Sequence, residues 1–481
     1  MAEKPSKART LQAPKGTRDF YPREMLVRRY ITDAWRRVSL RHGFEEIDGP
    51  TFEFLDLYKV KSGEGIVSEL FSFRREGGED DYALRPEFTP TLARMYAARA
   101  RQLPQPTKWF CLSNFFRAER PQRGRLREFW QWNCDVMGGD DLIGADGESA
   151  AVAIGALADL GLTNRAVQIR INHRESVRAK LRELSVPDDR MASAFELVDL
   201  LDRLKDEELV PLFQSRLGST PAFALGVIHG FRSWLSSLGE PLSQWADVID
   251  HPIYREWGWH RLIDLLKHSN LLEWFVFDPG IARGLAYYTS TVFEVIAEGE
   301  RAVAGGGRYD NLIELFGGPP TPACGFGMGD AVLGNLLEDR GLIPEGRDML
   351  EALARPMPMR ADVFVVASES EAAQNAIVPL VARLRRGEES AAYKDSQASS
   401  DSTKRIRPWD AQRYGTPPLH ARRSYKATKN IGKLVAEASA CHARFAVIIE
   451  PSGEVATVKD LDQRTEQKDV ALDKIGAMVA K

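Results

Sequence analysis

The chain has 481 residues, 43% hydrophobic and 28% charged, with a formal net charge of -3; this composition supplies a large core and length for two to four domains, and it excludes a protein that coats nucleic acid through a broad basic field. Its four cysteines share no CxxC spacing and its eight histidines no HExxH or His/Cys cluster, which excludes a disulfide framework and predicts no protein-ligated metal. No run of 18 apolar residues offers a membrane span, and the opening "MAEKPSKARTLQAPKG" lacks the apolar stretch of a secretion signal, so a cytoplasmic location without membrane contact is expected.

After a polar tail (1–14), "REMLVRRYITDAWRRVSLRH" places Leu26, Tyr30, Ala34, Trp35 and Val38 at helical spacing, with its basic residues mostly on the other face. "GFEEIDGPTFEF" is β-compatible, and Pro50 suits an edge or an interface. The aromatic-rich "KWFCLSNFF" and "EFWQWNCDVMGG" read as antiparallel strands joined by the loop "AERPQRGRL". "LIGADGESAAVAIGALADLG" predicts a helix ending at Gly161, and the alternation in "AVQIRIN" a half-buried strand. Residues 185–270 are Leu-rich and helical in pattern, an insertion between the two parts of a core (15–184 and 271–342). Strand and glycine signals return in "TVFEVI", "AVAGGGRYD" and "ACGFGMGD". The proline-bearing 343–361 reads as a linker, and 362–481 alternates strand and helix as a small α/β domain, with "KDSQASSDSTKR" an exposed loop.

The arginines of "FFRAERPQRGRLREFWQW" call for an anionic partner. Arg117, Arg120, Arg123, Arg125 and Arg127 lie between aromatic clusters in a chain that is otherwise slightly acidic. A loop held by two strands presents guanidinium groups to a polyphosphate rigidly, each bidentate contact worth roughly 1.5–3 kcal/mol. Taken alone, such a run is as often a solvated loop. The embedded Glu119, Pro121 and Gly124 favour a built site.

This segment resembles motif 2 of the class II aminoacyl-tRNA synthetases in the form of the histidyl-tRNA synthetase family. Further resemblances follow in the family's order: "KGTRDFYP", "GPTFEF" with Pro50 as the motif 1 dimer-interface proline, "LRPEFTP", "RGLAYYTSTVFEV", "GGGRYD" and "GFGMGD". They cover about 15–342, and less specifically the C-terminal domain. The resemblance implies an α+β fold with a six- or seven-stranded antiparallel sheet flanked by helices, a homodimer, and a C-terminal anticodon-binding domain. It implies a reaction in which histidine and ATP, with Mg²⁺, give histidyl-adenylate and pyrophosphate, and histidine then moves to the 3′ end of tRNA(His).

The family's roles pass to matching positions. Arg117 and Arg283 are expected to hold the α-phosphate and the histidine carboxylate from opposite sides, stabilising the charge that builds in the transition state. Arg125 and Arg127 are expected on the outer phosphates or in support of the loop, and Glu119, a carboxylate among cations, can accept from an adenine amino group or orient a neighbouring arginine. Glu87, Thr89 and Gln131 match the ammonium site. Tyr288 and Asp135 match the imidazole site, with Tyr287 on its wall. Asp135 stands where the family commonly has Glu, about 1.5 Å shorter in reach. Ala286 replaces a common Asp, and Ala331 a motif 3 arginine whose γ-phosphate contact then falls to Arg125 or Arg308. In the C-terminal domain, basic residues interleaved with Trp409, Tyr414 and Tyr425 suit a single-stranded loop. The alternative is a non-catalytic, histidine-binding regulatory paralogue that serves histidine biosynthesis.

Overall fold

The computed structural model describes residues 12–62, 69–198, 200–201, 204–236, 241–247, 258–278, 280–281, 288–398, 405–425 and 430–480. In chain order its first strands are β1 (Glu45–Glu46), β2 (Phe52–Phe54), β3 (Ser72–Arg74), β4 (Asp81–Leu84), β5 (Thr107–Phe116), β6 (Glu128–Met137), β7 (Val167–His173), β8 (Phe275–Phe277), β9 (Thr291–Ala297), β10 (Ala304–Arg308) and β11 (Ala323–Gly329). Eight of them make one sheet in the order β1-β5-β6-β11-β10-β9-β7-β8, and β2, β4 and β3 make a small second one. The large sheet is antiparallel except for the pairs β1–β5 and β7–β8 at its edges. The fold is therefore α+β, as expected. The two edge strands, two and three residues long, take the sheet beyond the six or seven strands anticipated.

One face of this sheet is covered by helices. The Pro22–Arg41 helix starts on a proline in its first turn, where no backbone donor is lost. It buries Tyr30, Ala34, Trp35 and Val38, and Trp35 stacks on Trp132 of β6 at 5.8 Å. The Leu142–Asp159 helix, whose first turn is capped by Asp141 accepting from the Gly144 N–H at 2.9 Å, lies beside it, with Trp259–His268 against that helix. Helices Arg174–Glu183, Met191–Val198, Asp206–Leu217 and Pro221–Ser236 share a second core built on Leu181, Phe195, Leu209, Phe213 and Phe231. Trp259, Leu262 and Ile263 pack instead into the main core.

The first helix buries two of its basic residues, Arg37 and Arg41, against Asp159 at 3.1 and 3.4 Å, with Arg355 on the same carboxylate at 3.1 Å, while Arg23 and Arg29 are exposed. These cations outweigh burial and hold the Asp159 carboxyl far below its usual range. The stretch read as a linker contains a helix, Gly346–Leu353, with Met349 and Ala352 in the main core; its apolar residues at three-residue spacing outvote the flanking prolines. The Ser-rich stretch begins in a helix, Ala391–Ala398, and its residues 399–404 lie outside the described ones.

Residues 362–480 form a five-stranded mixed sheet in the order 421–423, 363–367, 445–449, 455–460 and 465–471, with helices Glu371–Arg386 and Ile431–Ala440 among its cover. It docks on the first body through Glu148, whose Oε1 accepts from Arg385 at 2.8 Å and Lys108 at 2.9 Å; Lys108 also reaches the Tyr425 hydroxyl at 3.2 Å. Burial opposes charge on Glu148, but Arg385 and Lys108 prevail and keep it well below the ordinary range.

Removing a carboxylate that neutralises buried guanidinium groups leaves them unpaired. Asp159→Ala is expected to lower stability by about 3–5 kcal/mol in a urea titration; a loss under about 1 kcal/mol would show that helix C-terminal carbonyls suffice to hold those arginines.

Candidate active site

The other face of the large sheet, part of which is covered by the Thr89–Arg99 helix packing on Trp109, Cys111 and Phe115 of β5, carries a cleft of about 630 Å³, a size suited to a small-molecule ligand. Strand alternation sets its floor. On β6, Trp132, Cys134 and Val136 point into the helical core, so Gln131, Asn133 and Asp135 face the cleft. Opposite them in register on β11 stand Gly329, Gly327 and Gly325, and beyond these on β10 Gly305 and Gly307.

The glycines are required by close approach. A Cβ on Gly325 would lie 2.1 Å from Asp135 Oδ1 and 2.6 Å from the Cys134 carbonyl, one on Gly327 2.7 Å from Gln131 Nε2, and one on Gly307 2.9 Å from the Tyr288 ring. The polar side chains of β6 lie across from positions of β11 and β10 that carry no side chains.

The structure places Glu87, Thr89, Arg117, Arg125, Gln131, Asp135 and Tyr288 together on this cleft. Arg117 Nε donates to the Pro86 carbonyl at 3.1 Å, and its guanidinium lies 5.0 Å from the Phe129 centroid, so the group is aimed before any ligand arrives. Arg125 is ion-paired with Glu119. Arg127 does not line the cleft: its Nε donates to the Glu119 carbonyl at 3.1 Å, a bond internal to the loop. Residues 282–287, and with them Arg283, Ala286 and Tyr287, lie outside the described residues.

Asp135 is 3% exposed and accepts from the Tyr309 hydroxyl; burial pushes its carboxyl up to about 7, although that hydrogen bond works the other way. Arg308 points to the opposite face of β10, where Asp146 at 2.7 Å, Asp310 at 3.0 Å and the Leu142 carbonyl at 2.6 Å use its donors. It is not available to a ligand in the cleft, which leaves Arg125 of the two arginines considered.

Several framing residues escaped sequence reasoning. Arg85, 3% exposed, donates to the carbonyls of Asn114 and Gly49 and to Asp48, each at 2.9 Å, and so ties the loop of Glu87 and Thr89 to the segment before Pro50. The Gly16 carbonyl accepts from the Arg127 N–H at 2.8 Å, and Arg18 pairs with Asp330 at 2.7 Å, which in turn accepts from the Trp130 N–H at 3.0 Å. "KGTRDF" is thus a brace between the arginine loop and the end of the glycine floor. Asn133 and Tyr309 were also missed; the parity of Gln131 and Asp135 on one strand was the available signal for Asn133.

The C-terminal aromatics are not splayed for stacking on bases. Trp409 is buried edge-on against Tyr30, Tyr414 is half-buried beside Arg413, and Tyr425 bonds Lys108 inside the docking contact. Their alternation with cations reflects attachment to the body.

Comparison with known proteins gives a consistent picture. A family model described as histidyl-tRNA synthetase matches residues 16–330. The chain is 38% identical to a histidine–tRNA ligase of Pyrococcus furiosus over 70% of its own length and 77% of that protein's. It is 40% identical to one of Haloarcula marismortui over 69% and 75%. A solved histidyl-tRNA synthetase of Nostoc sp. PCC 7120 shares the fold with a TM-score of 0.55 at 20% identity, covering 97% of this chain and 98% of that one.

The glycine floor makes a graded prediction. Gly327→Ala meets a movable amide, whereas Gly325→Ala meets a backbone carbonyl, so Gly325→Ala should lower the thermal midpoint further, within the roughly 1–3 kcal/mol range of overpacking. Equal midpoints would show that β11 can shift.

Proposed function

The chain belongs to the histidyl-tRNA synthetase family, and we propose that its glycine-floored cleft is where histidine and ATP react. The enzyme is a histidine–tRNA ligase: it activates histidine with ATP and transfers it to tRNA(His). The relatives named as ligases favour this over a regulatory paralogue. The convergence of Glu87, Thr89, Gln131, Arg117 and Asp135 on one cleft carries the site reading.

Each group suits what it would meet. An ammonium offers only donors, and Glu87, Thr89 and Gln131 supply carboxylate and neutral oxygens. Asp135 accepts from an imidazole N–H, with Tyr288 on the other ring nitrogen and Tyr287 beside it. A site built to bond both ring nitrogens rejects side chains that lack them, because its own polar groups would be left unpaired. The histidine carboxylate is already ionised, so its attack on the α-phosphorus needs no general base. A P–O bond forms to that carboxylate oxygen, the bond from the α-phosphorus to the α,β-bridging oxygen breaks, and pyrophosphate leaves with that oxygen. Arg117, with Arg283 opposite, stabilises the charge on the five-coordinate phosphorus. Arg125 is the candidate for the γ-phosphate in place of the arginine absent at Ala331, oriented by its ion pair with Glu119, which does not itself line the cleft. Mg²⁺ enters as the ATP complex; among the described residues no cluster of three His, Cys, Asp or Glu could hold an ion alone.

The aromatic face of the small sheet supports a homodimer. Phe52, Phe54 and Phe73 are 49%, 55% and 44% exposed and pack around Tyr82, next to Pro50. The C-terminal sheet is assigned to the anticodon, through surfaces other than its three inward aromatics. No described helix is long and apolar enough to cross a membrane, and the reaction belongs in the cytoplasm, where tRNA is charged.

ATP–pyrophosphate exchange tests the assignment. Exchange should depend on histidine among the twenty amino acids. Arg117→Ala should lower its kcat about 10²- to 10³-fold with the circular dichroism unchanged; near-normal exchange would remove Arg117 from the chemistry. Phe54→Lys should sediment as a monomer if the aromatic face is the interface, and an unchanged dimer would place the interface elsewhere.

A further inference from the structure

Between the two β6 residues that the family pattern uses stands Asn133, to which that pattern gives no task. It is 4% exposed and lines the cleft. Gln131, Asn133 and Asp135 follow one another along the strand at intervals of about 6.8 Å, twice the rise per residue. Asn133 Oδ1 accepts from Gln131 Nε2 at 2.9 Å, and among the described residues its side chain makes no other hydrogen bond. Gly327 faces Asn133 across the strands. A Cβ there would come within 2.7 Å of Gln131 Nε2 and 3.4 Å of Asn133 Nδ2, so the bare backbone is what lets the two amides lie together.

A glutamine amide has one oxygen that only accepts and one nitrogen that only donates, and a half-turn about its last bond exchanges them. A ligand ammonium needs the oxygen. We propose that Asn133 is a positioning residue which, by taking the Gln131 nitrogen, holds Gln131 Oε1 toward the ammonium group of histidine. This inference rests on the assignment of the cleft to histidine. It explains why a buried polar side chain stands on the floor at all: Asn133 acts through Gln131 and fixes the amide orientation in advance. Without it the amide would sample both orientations, one of which sets a donor against a cation.

Histidine-dependent exchange by Asn133→Ala and Asn133→Asp, with imidazole propionate (histidine without its amino group) as competitive inhibitor, tests this. Asn133→Ala should raise the KM for histidine about 10- to 100-fold, the range of one hydrogen bond to a charged group. The KM for ATP and the inhibition constant of imidazole propionate should stay unchanged, which also reports an intact cleft. Asn133→Asp keeps an acceptor in the same place and should restore most of the affinity. An aspartate variant as impaired as the alanine one overturns the proposal, as does an imidazole propionate constant that rises in step with the histidine KM. Wild-type protein without histidine-dependent exchange would overturn the cleft assignment itself. Normal exchange in wild type and in Asn133→Ala alike would overturn the role of Asn133 alone.

Discussion

The register of β6 against β11 and β10 is the constraint on which the cleft depends. Side chains alternate along a strand, so a slip of one residue would turn Gln131, Asn133 and Asp135 into the helical core and bring Trp132 and Cys134 out. The register is secured from the far side, where Trp132 stacks on Trp35, meets Phe326 of β11 edge-on at 4.9 Å and donates to Ser39 at 2.9 Å. The glycines can thus be given over entirely to making room, because stability comes from the opposite face. A β-strand with this many glycines is weak by its own propensity. Here its neighbours and the helices beneath supply what the glycines lack.

Around this floor the frame is held by charges that water scarcely reaches. Asp159 gathers arginines from the first helix and from beyond the Gly346–Leu353 helix, while Glu148 gathers Lys108 from β5 and Arg385 from the C-terminal domain. Taking charges out of water is costly, and around Asp159 the cost is only partly offset, because Arg37 Nε and Nη1, Arg41 Nε and Arg355 Nη1 are buried without a hydrogen-bond partner. Such ion pairs also have direction, which apolar contacts lack, and so fix how one element sits on another. The Gly16 carbonyl and the Arg18–Asp330 pair do the same for the arginine loop with fewer atoms. Arg117 and Arg125 are thereby presented from a base tied at both ends.

Much of this was legible in the chain. The Pro22–Arg41 helix, the β5–β6 hairpin and two of the five strands of the C-terminal sheet, 363–367 and 445–449, follow from periodicity and turn chemistry, because the signals lie within a dozen residues. Glu87, Arg117, Gln131 and Asp135, which share the cleft, were singled out through ordered motifs. What escaped depends on partners far away in sequence. Arg308 looks like a free cation beside "GGG" until Asp146, 162 residues earlier, is seen against it. Tyr425 looks like a stacking platform until Lys108 is found on its hydroxyl. Arg37 and Arg41 stand seven and eleven residues after Tyr30, on the apolar side of the helical wheel, and the carboxylate that lets them be buried there comes from another helix. Asn133 was within reach: two recognised residues at positions 131 and 135 of one strand imply that 133 shares their face.

The docking of the C-terminal domain bears on how a long ligand is measured. Arg385 and Tyr425 reach into the body around a carboxylate only 9% exposed, so the domain cannot swing outward without stranding Glu148 among groups that solvate it poorly. The separation between that domain and the cleft is set like the jaws of a calliper. Any ligand long enough to span from the cleft to that domain meets the two at one separation, which the contacts of Glu148 set.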